Sequence, residues 1–277
     1  KVHGLDNKPY HLVLLCESQV GYQNLMQLTS QAYIDGFYGK PRIDRELLGR
    51  HHEGLIALSA CLAGEIPRRL VEGDFAGARA AAEFYRDTFG EGNFFIEIQD
   101  HGIREQQLIL PSLARLSEEL GIPMAATNDV HYIQKEDSEM QDVLLCIQTG
   151  KTVGEERELE FATDQFYLKS EEEMAERFDG FEDASENTVK IAARCQVDFE
   201  FGVIKLPYFV NDSGEDNETY FVNRCRAGLR KRYGDPPPKE AVDRLDYELG
   251  VIRSMGYVDY YLIVADFIDF ARSKDIP

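Results

Sequence analysis

The stretch "IPMAATNDVHY", Ile122 to Tyr132, decides how this chain is read. Its first half is a short apolar run that fits a buried strand. It then presents Asp129 and His131, two side chains able to bind a metal, one residue apart. In a strand or its immediate extension, residues i and i+2 point to the same side, so this carboxylate and this imidazole can face one point. The pair by itself reads equally well as a metal-binding pair and as a local Asp–His hydrogen bond.

The segments before it repeat the same alternation. "NFFIEIQ" sets Phe94, Ile96 and Ile98 against Phe95, Glu97 and Gln99, which predicts a strand, and the helix expected next carries Ile109, Leu113, Leu116 and Leu120 before Gly121. "EGLIALSACLAGEI" predicts a strand over Leu55 to Ser59 and then a polar turn. Asp74 is placed to cap a helix with Phe75, Ala78, Ala82, Tyr85 and Phe89 on one face, closed by Gly90. "HLVLLCES" (His11 to Ser18) predicts a further strand, followed by a helix with Leu25, Leu28 and Ala32 on its apolar face. From Lys1 to Tyr132 strands thus alternate with helices, the pattern of an α/β protein with a parallel sheet or a β/α barrel. Cys61, His101 and the Asp129–His131 pair each follow a predicted strand, where such barrels place their sites. His11 instead opens its strand, unless that strand begins earlier in "KPYH".

The bulk numbers bound the rest. A chain of 277 residues with 43% hydrophobic content can build a sizeable core, and 50 acidic against 30 basic residues give a net charge of −20. Such a chain repels a polyanion, so any nucleic-acid contact has to be local, metal-assisted or made by other residues. Five scattered cysteines without a CxxC pattern suit a reducing compartment, and no apolar run approaches a membrane span, so a cytoplasmic protein without a membrane partner is expected. The chain starts at Lys1 and stops just after an amphipathic run, and reads as a piece of something longer.

After Tyr132 the composition turns acidic. A helical segment is read at Met140, Val143, Leu144 and Ile147, and Ser170 with Glu173 forms a capping box ahead of Met174 and Phe178. A hinge-like "LPYFVNDSGEDNET" leads to a helix that "DPPP" (Asp235 to Pro238) stops, and a domain boundary is expected near Tyr208. Two more helices follow, with Ala241, Leu245, Leu249 and Ile252, then Tyr260, Ile263, Phe267 and Phe270, as their apolar faces; these faces are expected to be partly exposed.

A lone Cys after a strand is more often a small buried hydrophobe than a ligand. Taken together, His11, Cys61, Asp129 and His131 form a mixed N, S and O donor set suited to zinc or a similar divalent ion. His101 could support a ligand loop or simply hydrogen-bond it. His51 and His52, in a polar turn, read as surface, and the acidic run Glu155 to Glu160 as a solvated loop.

The strings "HLVLLCESQVGYQNLMQLTSQAYIDGFYGKPRID", "EGLIALSACLAGEIP", "MAATNDVHY", "FYLKSEEEM" and "RLDYELGVIRSMGYVDYYLIVADFIDFARSKDIP" together resemble the alpha subunit of bacterial DNA polymerase III, over essentially the whole chain. The resemblance implies that residues 1–207 are the later part of a PHP domain, a distorted β/α barrel incomplete at its N-terminus. Residues 208–277 would then be the linker and first helices of the polymerase palm region. It implies a metal cluster whose matching ligands here are His11, Cys61, Asp129 and His131, holding zinc or manganese, and the family's opening H-x-H motif and further ligands have no counterpart in this chain. It also implies that the parent is a DNA-directed DNA polymerase, a nucleotidyltransferase using magnesium. Its aspartates lie beyond Pro277, so this chain alone is not expected to extend a primer. Partners implied for the parent are primer-template DNA, deoxynucleoside triphosphates, a sliding clamp and a proofreading exonuclease. The PHP site would be either a 3′–5′ exonuclease centre or a non-catalytic docking module whose metal stabilises the fold.

Overall fold

The computed structural model describes residues 9–153, 155, 161–203 and 205–276. The chain divides into two compact units, residues 1–199 and 200–277. The acidic run read as a solvated loop falls, apart from Glu155, outside the described residues.

The first unit is built on a four-stranded mixed sheet in the order β1 (Val13–Cys16), β2 (Leu55–Leu58), β3 (Phe94–Ile98), β4 (Met124–Ala126). Strands β2, β3 and β4 are parallel, each reached through helices: α3 (Glu65–Val71) and α4 (Phe75–Phe89) between β2 and β3, and α5 (Arg104–Leu120) between β3 and β4. β1 departs from the parallel expectation and pairs antiparallel with β2, Val13 opposite Leu58 and Cys16 opposite Leu55. Two helices, α1 (Gln19–Ile34) and α2 (Arg45–Arg50), intervene here, and the chain enters β2 from the end at which β1 finished. Alternation of strand and helix in the sequence does not determine this direction.

Local signals place the elements. Asp74 caps α4 by accepting from the Gly77 N–H at 2.8 Å, and Gly90 ends that helix at a positive φ of 81°. Gly21 allows α1 to lie against the turn before β2, because a Cβ there would meet the Gly54 carbonyl at 1.8 Å. The period-two alternation then splits the sheet residues between two cores. Leu55, Ala57, Phe94, Ile96, Ile98 and Ala126 pack with α4 and α5 through Ala78, Ala82, Tyr85, Ile109, Leu113 and Leu116. On the opposite face Ile56, Leu58, Phe95 and Ala125 pack against Ile191 of α8 (Glu182–Arg194). Both faces are covered, which buries even the polar members of a strand.

Between β4 and α8 lie α6 (Ser138–Thr149) and α7 (Glu171–Arg177), the latter opened by the Ser170–Glu173 capping box. α6 buries Leu145 and Cys146, whereas Met140, Val143, Leu144 and Ile147, the residues that mark this helix in the sequence, are exposed. α8 is tied back to the beginning of the unit. Arg194 pairs with Glu17 at 2.8 Å and donates to the Gly92 carbonyl at 2.6 Å and to Asn93, and the Gln196 N–H donates to the Glu17 carbonyl at 3.0 Å.

The second unit comprises α9 (Asn217–Tyr233), α10 (Lys239–Ser254) and α11 (Val258–Ser273), gathered on Phe221, Leu249 and Leu262. Leu249, Leu245 and Ile252 of α10 face this core as expected. α11 leaves its expected apolar face exposed, as anticipated, with Phe267 and Phe270 66% and 61% exposed, and packs into this core through Leu262, which is 0% exposed and lies outside that face. Nearly every position of "YYLIVADFIDF" is apolar, so periodicity cannot select a face and tertiary packing does. Leu262→Ala is therefore expected to cost this unit about 2–5 kcal/mol. Phe267→Ser should stay within about 0.5 kcal/mol. Denaturant melts of the two variants check this, and equal destabilisation would contradict the packing described.

Candidate metal site

The antiparallel β1 resolves the position of His11. Because β1 runs against β2, its N-terminal end lies beside the C-terminal end of β2, and His11 forms a bridge with Gly64 and donates its N–H to the Ala63 carbonyl at 3.0 Å. The turn "ACLAG" leaves β2 through Ala60, which has a positive φ of 64°, and folds back on itself with the Gly64 N–H donating to the Cys61 carbonyl at 2.8 Å. Gly64 is required at this approach, since a Cβ there would meet the Ser59 carbonyl at 2.0 Å. The result is a Cys61 Sγ to His11 Nδ1 distance of 3.7 Å, between residues 50 apart in sequence.

The third strand end contributes Asp129. Its φ of 44° places it in the left-handed region, which Asp tolerates better than most residues. Among the described residues of the first unit, Ala60 and Asp129 are the two non-glycine residues with positive φ, and both line one cleft of about 550 Å³. Strained backbone of this kind collects where the surrounding structure holds a functional geometry. His11, Cys61, Glu97, Gln99 and Thr127 line the same cleft. His131 is not part of that lining; its Nε2 lies 3.3 Å from Asp129 Oδ1, and its ring packs on Phe161 with centroids 4.6 Å apart.

The Asp129 loop is fastened from behind. The His131 N–H donates to the Phe166 carbonyl at 2.8 Å, and Asn128 donates its amide to the Tyr167 carbonyl and accepts from Lys169 Nζ at 3.0 Å. His101 completes the support. It is 0% exposed, its ring lies 4.1 Å from that of Phe166, its Nδ1 is 2.9 Å from Gln106 Nε2, and its Nε2 is 2.7 Å from the Asn128 carbonyl. That carbonyl can only accept, so Nε2 carries the proton and Nδ1 receives the Gln106 amide. Burial pushes the His101 pKa down, against the Asn128 carbonyl and the Asp129 charge, which favours this neutral form. Both ring nitrogens are engaged, so His101 holds the loop and has no free lone pair for a metal. His52 Nδ1 lies 2.8 Å from the Gly49 carbonyl, and His51 Nδ1 lies 3.4 Å from Asn24 Oδ1 of α1.

Glu97 is the residue that the sequence reading passed over as a candidate. It follows Phe95 on the second face of β3 and is only 6% exposed. Its Oε1 accepts from Thr127 Oγ1 at 2.5 Å and from Gln99 Nε2 at 2.8 Å. Burial raises the carboxyl above the usual range, outweighing these hydrogen bonds, and nearby Asp129 adds to the rise. Burial likewise raises the Cys61 thiol, with the Asp129 and Glu97 charges in the same direction. Among the described residues no group of three His, Cys, Asp or Glu side chains is close enough to hold a metal ion.

Comparison with known proteins gives two family matches: the PHP domain over residues 2–101, and the bacterial DNA polymerase III alpha NTPase domain over residues 219–277. The chain is 46% identical over 276 residues to the DNA polymerase III subunit alpha of Treponema pallidum, covering 99% of this chain and 24% of that protein. It is 41% identical over 283 residues to the same subunit of Borreliella burgdorferi, covering 100% of this chain and 24% of that one. The Thermus aquaticus subunit is 36% identical over 332 residues, covering 99% and 27% respectively. The chain thus spans about a quarter of the length of these curated relatives. No helix among the described residues is long and apolar enough to cross a membrane.

Proposed function

This chain belongs to the family of bacterial DNA polymerase III alpha subunits, and from that premise we propose that it is the PHP and palm-entry segment of a replicative polymerase subunit, carrying part of a divalent-metal site. In this reading residues 1–207 are the later part of the distorted PHP barrel and residues 208–277 lead into the palm. Template-directed DNA synthesis, with magnesium, primer-template DNA and deoxynucleoside triphosphates, and contacts with a sliding clamp and a proofreading exonuclease, belong to the parent, in the cytoplasm.

One observation carries the metal reading: His11, Cys61 and Asp129, from three separate strand ends, line a single cleft, with His131 set against Asp129. An imidazole, a thiol and a carboxylate, beside a buried carboxylate oxygen without a partner, make a donor set that fits zinc or manganese. His11, Cys61, Asp129 and His131 would hold the ion together with further ligands of the parent. A bound divalent ion supplies Lewis-acid polarisation of a phosphate oxygen. What this chain contributes is orientation: the Asn128 and His101 bonds fix the Asp129 loop, and the Gly64 turn fixes Cys61 against His11.

The second reading is a docking module whose metal only stabilises the fold. It is favoured by the net charge of −20, which opposes autonomous DNA binding. Metal content and 3′–5′ degradation of primer ends, measured on the full-length polymerase and its Asp129→Asn variant, separate the two. We expect Asp129→Asn to lower metal affinity by about tenfold or more. Loss of degradation in parallel supports the exonuclease. Metal-loaded protein that never degrades primer ends leaves the docking reading, and unchanged metal affinity in the variant removes Asp129 from the site.

A further inference from the structure

Glu97 stands at the junction of the two loops that make the cleft. Its backbone N–H donates to Ser59 Oγ at 2.9 Å, two residues before Cys61, and its Oε1 takes the hydroxyl of Thr127 at 2.5 Å, two residues before Asp129. β3 thereby grips both neighbouring strands at the points where their ligand-bearing loops depart. The other carboxylate oxygen, Oε2, is buried and makes no hydrogen bond of normal geometry, the Ala60 backbone N–H at the start of the Cys61 turn acting only weakly on this carboxyl, and Oε1 of Gln99 beside it is likewise unpaired. Both side chains line the cleft. Leaving a buried carboxylate oxygen unpaired is costly, and a fold built only for stability would fill the position with an apolar residue or supply a donor. Phe95, two residues earlier on the same face, shows that an apolar side chain is accommodated on this side of the strand.

We propose that Glu97 is a positioning residue of the metal site: Oε1 holds the Asp129 loop through the Thr127 hydroxyl, and Oε2 is the acceptor for a proton donor brought into the cleft by the bound cation, namely a water of its hydration shell. This rests on the metal reading above. The occupant is a hydrated divalent cation, because an acceptor oxygen beside Asp129, in a cleft also lined by an imidazole and a thiol, selects positive charge and donor hydrogens over an anion.

Glu97→Gln tests this with little disturbance. The amide keeps an oxygen for Thr127 and Gln99 and converts the free acceptor at Oε2 into a donor, while removing a buried charge. Ser59→Ala serves as the control that loosens the same strand contact without touching the carboxylate. The measurements, on the full-length polymerase, are zinc and manganese affinity by metal titration with mass-spectrometric stoichiometry, and the rise in melting temperature on adding each metal. The expected result is that Glu97→Gln melts, metal-free, at or above the wild-type temperature yet loses about tenfold or more in metal affinity and most of the metal-induced rise, while Ser59→Ala retains both. A purely structural Glu97 would change the metal-free melt and leave the metal response intact, and that outcome overturns the proposal. Wild-type-like binding by Glu97→Gln also overturns it while leaving the metal reading standing. A wild-type full-length polymerase that binds neither metal at this site defeats both. Should Glu97→Gln fail to fold, Thr127→Val decides: a severalfold loss of affinity supports the positioning role, and unchanged affinity ends it.

Discussion

Phe94→Ala is expected to lower the stability of the sheet-bearing unit by about 3–5 kcal/mol. Phe94 is 1% exposed, sits at the start of β3 opposite Ala57 of β2, and lies 5.3 Å, centroid to centroid, from the Tyr85 ring of α4. Its neighbours in the larger core are strand and helix residues already in contact with one another, so the site collapses poorly around the lost ring and a cavity remains. The consequence extends beyond stability, since β3 is the strand that carries Glu97. Urea melts should show a lower midpoint at an unchanged slope. A loss below about 1 kcal/mol would show that α4 closes onto the sheet without the ring.

The second large effect belongs to Glu65, at the first turn of α3. Its Oε1 accepts from Arg45 Nη2 at 2.8 Å and Arg69 Nη2 at 3.1 Å, and its Oε2 accepts from the Tyr85 hydroxyl at 3.0 Å. Burial works to raise this carboxyl, but the hydrogen bond and charge of Arg45, with Arg69 and Tyr85, outweigh it and hold the pKa below the ordinary value. Glu65→Ala removes the common acceptor and strands the buried Tyr85 hydroxyl. A cost of about 2–4 kcal/mol is expected, under the full value for breaking a buried pair because Arg45 stays half-exposed and finds water. The pH dependence has a definite sign. A depressed folded pKa gives stability that is complete above the ordinary value of 4.5 and is lost as pH falls through the lower folded value. The gap between wild type and Glu65→Ala should therefore be full at pH 7 and shrink in acid below that point. A gap that is constant from neutral to acid pH would show that the carboxylate charge contributes nothing.

The elements themselves were legible because their causes are local. A short apolar run before a polar turn marked Leu55–Leu58, alternation marked Phe94–Ile98, Asp74 and Gly90 bracketed α4, and Ser170 with Glu173 opened α7. What escaped depends on contacts far along the chain. The direction of β1 depends on the end at which the chain re-enters the sheet after α1 and α2, and it decides whether His11 reaches Cys61 at all. Glu97 alternates in register with Phe95, but the turn after β2 and Thr127 after β4, both far along the chain, make this polar strand position a buried one. His101 follows a strand as a ligand would, yet Gln106 and the Asn128 carbonyl occupy both its nitrogens. On α6 and α11 the chain is apolar on several sides, and the buried faces, Leu145 with Cys146 and Leu262, are choices made by packing.

The clasp made by Arg194 has a consequence for how the protein is made. Its partner Glu17 lies 177 residues earlier, and its other contacts, Gly92 and Asn93, lie about a hundred residues earlier. A ribosome delivers the chain from its N-terminus, so all four strands emerge well before the helix that covers their second face. During that interval Ile56, Leu58, Phe95 and Ala125 have no Ile191 to pack against, and the entry to β3 lacks its guanidinium anchor. Non-local closure of this kind is slow and leaves apolar strand surface open to intermolecular pairing. Translation pausing between β4 and α8 would prolong that interval, and pausing after Gln196 would not.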